Sequence, residues 1–210
     1  MKASSILLAG ALLLPAWALA TPVTLNFTAK VNQSNGNLPA AGQTVSGTYV
    51  FDTDPSFYTL YPEPQYPGYM GYQTMQAPYG MTLDLPTGAL DFTQGGLAVE
   101  AIDNGHISYE LPTPGDAVAF GIKRNNVSYR MFLFGPDTSF SGNSLPTTDW
   151  LSGLWTSGTF TIRDNSIFST VLSADILSVT VSAVPEPATA ALLLAGLAAL
   201  AMKRRSTNRE

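Results

Sequence analysis

Acid–base chemistry in this 210-residue chain would depend on carboxylates and a single histidine, because the sequence contains no cysteine. Thiolate nucleophiles, thiolate metal sites and disulfides are therefore excluded. His106 lies in Asp103-Asn104-Gly105-His106, a stretch typical of a turn between two strands. No G-x-S-x-G nucleophile elbow is present in the sequence. The sequence thus predicts a histidine on a surface turn and no catalytic triad.

Paired carboxylates are the other catalytic arrangement to consider, and Glu63, Glu100 and Glu110 are the only glutamates in residues 21–184. Glycoside hydrolysis requires two carboxyl groups that face one cleft, about 5–10 Å apart. Glu100 and Glu110 could meet this requirement across neighbouring strands. Outward-facing charges that keep the domain soluble explain the same residues and are the preferred interpretation. We expect no enzyme activity, and a polysaccharide-acting enzyme that uses Glu100 and Glu110 is the alternative.

Asp52 and Asp54 have the oxygen spacing that begins a calcium-binding loop, followed by Pro55 and Ser56. The central glycine and the closing glutamate of an EF-hand loop are missing. The pattern Asp-x-Asp-Pro is also an ordinary turn at the end of a strand. We predict the turn, with a Ca²⁺ site as the alternative, and we expect no cofactor.

The charge balance of residues 21–184 argues against a nucleic-acid partner. This stretch contains thirteen acidic and five basic side chains, which leaves a net charge of −8. Phosphate binding needs a basic surface, and anionic polymers would be repelled as well. The one local basic cluster, Lys123 and Arg124 with Arg130, is typical of the surface of a hairpin.

Residues 55–80 interrupt the strand pattern of the chain. They hold six of the nine tyrosines, five prolines and a single charged residue, Glu63. A long segment without regular structure is usually functional or disordered. Tyrosine rings offer flat apolar faces with a hydroxyl group, which suits stacking on sugars, so one hypothesis is a ligand loop. The preferred alternative is a segment that folds back and caps an open edge of the sheet. The residues of the hypothetical ligand loop are Tyr58, Tyr61, Tyr66, Tyr69 and Tyr72.

Elsewhere in residues 21–184, apolar and polar residues alternate with a period of two, most clearly over Val23–Val31. No window supports a long helix, and only Ile167–Leu177 could form a short one. Clusters of Asn, Gly, Pro and Asp separate the strands, and Lys123–Asn126 is a predicted hairpin turn. The predicted strands are Val23–Val31, Thr44–Phe51, Met81–Leu85, Leu97–Ala101, Ile107–Leu111, Val118–Ile122, Tyr129–Phe134, Thr159–Ile162 and Ile176–Ser182.

These short strands predict an all-β domain, an antiparallel β-sandwich of the jelly-roll type. Two facing sheets can bury the apolar side of every strand, which explains how a domain without disulfides holds together. The residues predicted to be buried are Leu25, Phe27, Tyr49, Phe51, Leu83, Val99, Phe120, Phe160 and Val179.

Residues 1–20 have the three parts of a secretory signal peptide. Lys2 supplies the positive start, Ile6–Leu14 the apolar core, and Ala18 and Ala20 the small residues of a cleavage site. The sequence therefore predicts an N-terminal signal helix, export by the secretion machinery and cleavage by signal peptidase.

A second apolar segment, Ala188–Met202, lies near the C-terminus and is followed by Lys203, Arg204 and Arg205. A helix of this length measures ~22 Å, shorter than the ~30 Å hydrocarbon core of a bilayer. Basic side chains that reach for the membrane surface can cover part of the difference. We predict a single transmembrane helix, with the basic trio as stop-transfer signal and residues 206–210 as a cytoplasmic tail.

Pro185-Glu186-Pro187 stands directly before that helix, where the two prolines hold the strip extended. The order Pro-Glu-Pro, apolar helix, basic tail over residues 185–205 resembles the PEP-CTERM sorting signal of bacteria. Pro62-Glu63-Pro64 repeats the tripeptide without a following apolar helix, so the three-part order carries the resemblance. In that family the membrane enzyme exosortase recognises and processes the signal, and the carriers are exported proteins of bacteria that produce exopolysaccharide.

The two ends together predict an exported domain, residues 21–184, that is anchored transiently in the membrane. The resemblance implies exosortase as a partner, with exopolysaccharide as a further one. The expected location is the cell envelope, and later the cell surface or extracellular matrix. The expected function is that of a non-catalytic surface or matrix protein.

Overall fold

The computed structural model of the chain describes residues 22–62, 68–93, 96–105, 115–139, 144–183 and Gly196. Thr21–Pro185 form one compact unit, and every member of its main described core lies between Val23 and Val179. This domain therefore contains its core without either end of the chain. The predicted signal helix and, apart from Gly196, the predicted transmembrane helix lie outside the described residues.

The described residues form eleven strands in one antiparallel sheet, with the order β3-β4-β7-β8-β9-β10-β11-β1-β2-β5-β6. The strands are β1 (Pro22–Ser34), β2 (Thr44–Asp52), β3 (Thr59–Pro62), β4 (Tyr69–Thr74), β5 (Gly80–Leu85), β6 (Gly88–Asp91), β7 (Leu97–Gly105), β8 (Gly115–Arg124), β9 (Val127–Gly135), β10 (Ser157–Asp164) and β11 (Ser169–Ala183).

The period-two alternation of the sequence decides which face of each strand is buried. In β1, Val23, Leu25 and Phe27 are buried, and the residues between them are not. Phe27 pairs with Gly47 of β2, where a Cβ atom would lie 2.8 Å from the Phe27 ring, so the glycine makes room for the aromatic side chain. All nine residues predicted to be buried are buried, which confirms the antiparallel all-β prediction.

The sheet curls so that its distant strands face each other across the core. Phe120 of β8 and Tyr49 of β2 are separated by four strands in the sheet, yet their ring centroids are 5.4 Å apart. Phe51 of β2 lies 5.1 Å from the same ring. The prediction of two separate sheets is therefore corrected to one continuous sheet. Register shifts in β1, such as the one between Thr28 and Ala29, are the irregularities that let a sheet bend.

Ile167–Leu177, the one segment of the domain in which a short helix was possible, does not form a helix. Ile167 lies in a turn, and Ser169–Ala183 form β11, which pairs with both β1 and β10. Two-sided pairing overrides a weak local preference. The helix that does form is α1 (Thr148–Gly153), whose N-cap Thr147 accepts a hydrogen bond from the Trp150 amide at 3.2 Å.

Residues 55–80 contain more regular structure than predicted. A 3₁₀-helix at Pro55–Phe57 is followed by β3 and β4, and β4 pairs with β7. The alternation of apolar and polar residues is hard to recognise in this segment because tyrosine is both: its ring packs in the apolar core, whereas its hydroxyl group is polar. This hairpin adds two strands to the sheet and itself forms one edge, whereas the preferred alternative expected a segment that caps an open edge.

Candidate functional site

Glu100, one half of the hypothetical catalytic pair, lies on β7 between two buried core residues and on the opposite face of the sheet. It forms an ion pair with Arg130 of β9, with 2.6 Å between Oε2 and Nη2. Ala119 and Gly121 of β8 lie between the two strands in register and leave space for this contact. The guanidinium also lies 4.6 Å from the centre of the Phe132 ring, a cation–π contact.

This ion pair borders a shallow cavity of about 250 Å³ on the outer face of β4, β7, β8 and β9. The Glu100 carboxylate is engaged by Arg130, and only 17% of its side chain is exposed. Glu110 and His106 lie outside the described residues, so the described structure places only Glu100 of the hypothetical carboxylate pair. Besides Glu100 and Arg130, the cavity is lined by Gln73, Met75, Gly96, Leu97, Ala98, Gly121, Ile122, Lys123 and Ser128.

The three residues of the basic cluster predicted from the sequence differ in exposure and in their partners. Lys123 and Arg124 are exposed beside the β8–β9 turn, as expected for a hairpin surface. Arg130 is half-buried and belongs to the ion pair instead. Counting in steps of two from the turn would have placed Arg130 opposite Gly121, on the same face as Glu100, so the sequence contained the signal for this contact.

Two members of the hypothetical ligand loop, Tyr58 and Tyr72, are core residues. They are 8% and 5% exposed, and their rings meet edge to face at 5.9 Å. The Tyr58 hydroxyl accepts a hydrogen bond from the Asp52 amide at 2.7 Å and donates one to the Asp52 carbonyl at 2.8 Å. These rings fasten the segment to the end of β2 and are not accessible for stacking on a sugar.

The remaining tyrosines of that loop are placed differently. Tyr61 is half exposed on the edge strand β3, whereas Tyr69 is partly buried against Ile102. Tyr66 lies outside the described residues. Beside Tyr61 is a polar hollow of about 410 Å³ whose lining carries hydroxyl and amide groups and no ionisable acid or base other than tyrosine. Its polar lining residues include Ser56, Thr59, Tyr61, Gln73, Thr74 and Gln76.

Asp52 and Asp54, the residues with calcium-loop spacing, both accept hydrogen bonds within the protein. Asp52 is fully buried, and its carboxylate accepts from the Tyr79 hydroxyl and the Asp54 amide, each at 2.8 Å. Asp54 caps the 3₁₀-helix by accepting from the Ser56 amide at 2.9 Å, which holds the pKa of its carboxyl below the usual value. The described residues contain no group of three potential metal-ligating side chains.

Burial of tyrosines gives the domain a predictable response to alkali. Burial raises the pKa of Tyr49, Tyr58 and Tyr79, so these phenols stay protonated in the folded domain well above pH 10. In the unfolded chain they ionise near pH 10, and the unfolded state then binds fewer protons than the folded one. Stability should therefore fall as pH rises above about 10, by at most about 1.4 kcal/mol per pH unit for each such tyrosine.

Denaturant unfolding at several pH values, with phenolate absorbance recorded in parallel, measures this slope. Tyr49→Phe removes a fully buried phenol and should flatten the slope above pH 10. The matched control is Tyr61→Phe, which changes a half-exposed residue and should leave the slope as it is. Equal slopes in both variants would contradict the prediction.

The C-terminal residues have the order Pro-Glu-Pro, apolar segment and basic trio, and they match a known family. Residues 183–209 match the family model of the PEP-CTERM protein-sorting motif. The C-terminal segment is a PEP-CTERM sorting motif. No curated protein and no solved structure matches the chain.

The PEP-CTERM motif indicates an exported, envelope-associated protein that exosortase sorts. The match begins at Ala183, the last residue of β11, so the motif follows the sheet directly. Pro185, Glu186, Pro187 and the basic trio 203–205 lie outside the described residues, as do Ala18 and Ala20. Among the residues that the structure describes, no helix has the length and apolar character needed to cross a bilayer.

Proposed function

We propose that this protein is a non-catalytic passenger of the exosortase system, anchored transiently by residues 188–202 and then delivered to the cell surface or extracellular matrix. The match of residues 183–209 to the PEP-CTERM motif carries this proposal. Residues 1–20 would direct export, and Lys203, Arg204 and Arg205 would stop translocation so that the motif faces exosortase.

The architecture of the domain suits a passenger that loses both of its sorting segments. Val23 of β1 and Ala183 of β11 are paired neighbours in adjacent strands, so both segments attach at the same end of the sheet. The main core lies wholly between Val23 and Val179. Cleavage before Thr21 and again near the Pro-Glu-Pro strip would therefore leave all core contacts in place.

Two observations support a binding role over catalysis. Glu100, the glutamate on which the enzyme alternative depends, is held by Arg130 at 2.6 Å. The hollow beside Tyr61 offers hydroxyl and amide groups, together with one half-exposed aromatic ring, which is the chemistry that binds a neutral sugar polymer. The net charge of −8 over residues 21–184 disfavours an anionic polymer. We therefore propose a neutral exopolysaccharide as ligand.

Co-sedimentation of the 21–185 domain with the polysaccharide of the producing cell, combined with an assay for newly formed reducing ends, tests this proposal. We expect the domain to sediment with the polymer, with no increase in reducing ends. Tyr61→Ala should weaken binding by about tenfold or more, because it removes the half-exposed ring whose apolar face would be buried against the sugar, and burying an aromatic side chain is worth about 1.5–3 kcal/mol. Reducing ends that appear with the wild type and disappear in Glu100→Gln would establish the enzyme alternative instead.

A further inference from the structure

Two hairpin turns lie side by side at one end of the sheet, and we call them together the double-hairpin tip, residues 123–126 and 163–168. The Asn165 amide donates to the Asn126 carbonyl at 2.6 Å, and the Asn165 side chain donates to the Ser128 hydroxyl at 2.7 Å. These bonds join the β10–β11 turn to the β8–β9 hairpin. The two turns therefore form one fixed surface.

The most exposed part of this tip is apolar. Phe168 is 78% exposed, more than any other large apolar side chain that the structure describes, and its neighbour Ile167 is 65% exposed. The turn that carries them is tied down by Asp164, whose carboxylate accepts from the amide and the hydroxyl of Ser166 at 2.8 and 2.6 Å. Two adjacent apolar side chains are therefore exposed to solvent on a turn that hydrogen bonds hold in place.

Phe168 also occupies an unfavourable backbone conformation. Its φ angle is 51°, a left-handed conformation that a bulky residue rarely adopts. The other non-glycine residues with positive φ in the described chain are Asn104 and Asn125, and asparagine is the usual residue there. A bulky residue in this conformation carries a backbone cost, and positions of this kind cluster at functional sites.

Three basic residues lie on the strands that carry the two turns of the tip, and Arg163 among them is partly buried. Lys123 and Arg124 are exposed on the neighbouring hairpin, and Arg163 pairs in register with Ser128 on the same side. Asp164 is the only carboxylate within the tip, so this surface is locally positive on a domain of net charge −8. Apolar side chains flanked by Lys and Arg are the arrangement with which proteins bind anionic membrane surfaces.

We propose that the double-hairpin tip docks onto a lipid surface with anionic headgroups. Ile167 and Phe168 enter the boundary between headgroups and acyl chains, and Lys123 and Arg124 lie against the lipid phosphates. The acidic remainder of the domain is repelled by the same surface, which fixes the tip as the point of contact.

This contact is independent of the C-terminal motif and goes beyond the proposed sorting function. β11 begins at Ser169, next to the tip, and ends at Ala183, where the motif begins. A strand of 15 residues is about 50 Å long. The tip and the motif therefore attach to opposite ends of the same strand.

Vesicle co-sedimentation of the 21–185 domain, which contains its own core, tests the proposal. Vesicles of phosphatidylcholine with phosphatidylglycerol should bind the domain, whereas vesicles of phosphatidylcholine alone should not, and high salt should release it. Phe168→Asn should lower the partition coefficient about tenfold or more while keeping a residue that tolerates the positive φ. Lys123→Gln and Arg124→Gln should each lower it about fivefold.

Matched controls are Leu177→Asn, which changes an exposed apolar residue of β11 outside the tip, and Lys30→Gln on β1. Both should bind like the wild type. Equal binding to both kinds of vesicle, or unchanged binding of Phe168→Asn, would overturn the proposal. Light scattering that detects a dimer, lost in Phe168→Asn, together with no vesicle binding, would identify a second copy of the chain as the occupant and equally refute membrane docking.

Discussion

Replacing Glu186 with alanine is expected to stop maturation of the chain, so that a full-length, membrane-bound form accumulates. Glu186 is the one charge in an otherwise neutral strip that its flanking prolines are expected to keep extended, so a protease that reads the motif has this carboxylate to recognise. The proposed insertion depends on the apolar segment and the basic trio, which the change leaves intact. Gel shift and membrane fractionation of the tagged protein, in a host with the matching exosortase, measure the outcome.

The chain contains a matched control for this experiment. Pro62-Glu63-Pro64 repeats the tripeptide inside the exported domain, with no apolar segment behind it. Glu63→Ala should mature normally, because the tripeptide alone is not the signal. Normal maturation of Glu186→Ala as well would mean that the motif is incidental and that the chain is an ordinary single-span membrane protein.

The largest effect on stability is expected from Phe120→Ala, at about 3–5 kcal/mol. Phe120 is fully buried and touches Tyr49 and Phe51, so it is the residue through which β8 meets β2 across the core. Its removal leaves a cavity between strands that no hydrogen-bond ladder connects directly. Since single domains are stable by about 5–15 kcal/mol, the variant should lose a large part of its stability. Denaturant titration of the 21–185 domain measures the loss.

Phe168→Ala is the control for that measurement, because it deletes the same side chain from an exposed turn. Its effect should stay within about 0.5 kcal/mol. If the two variants lost stability equally, β2 and β8 would not face each other, and the curled sheet would be incorrect.

The strands could be predicted from the sequence because their signal is local. Alternation in β1 and β2 reports directly which side chains are buried, and the core residues follow from it. Closure of the sheet is different, since it depends on register shifts in β1 and on contacts such as Tyr49 with Phe120, between residues far apart in the sequence. The periodicity of the sequence contains no information on register shifts or on long-range contacts. It therefore predicts two facing sheets, whereas the structure has one sheet that curls.

The candidate sites also differ in whether local sequence or long-range contacts define them. The sorting motif is read by its order along the chain, so the sequence sufficed to identify it. The ion pair of Glu100 with Arg130 depends on small residues in the strand between them, and the burial of Tyr58 depends on its bonds to Asp52. Such contacts exist only once the strands are in register, which explains why a ligand loop of five tyrosines was a reasonable hypothesis and an incomplete description.

The position of β11 gives the domain a mechanical property. This strand connects the sheet to the sorting motif and is paired with β1 on one side and β10 on the other. A pull on the C-terminus runs along the strand axis, at right angles to the hydrogen bonds, and therefore loads both ladders in shear at once. A membrane enzyme that pulls on the C-terminal segment can therefore do so while the domain stays folded.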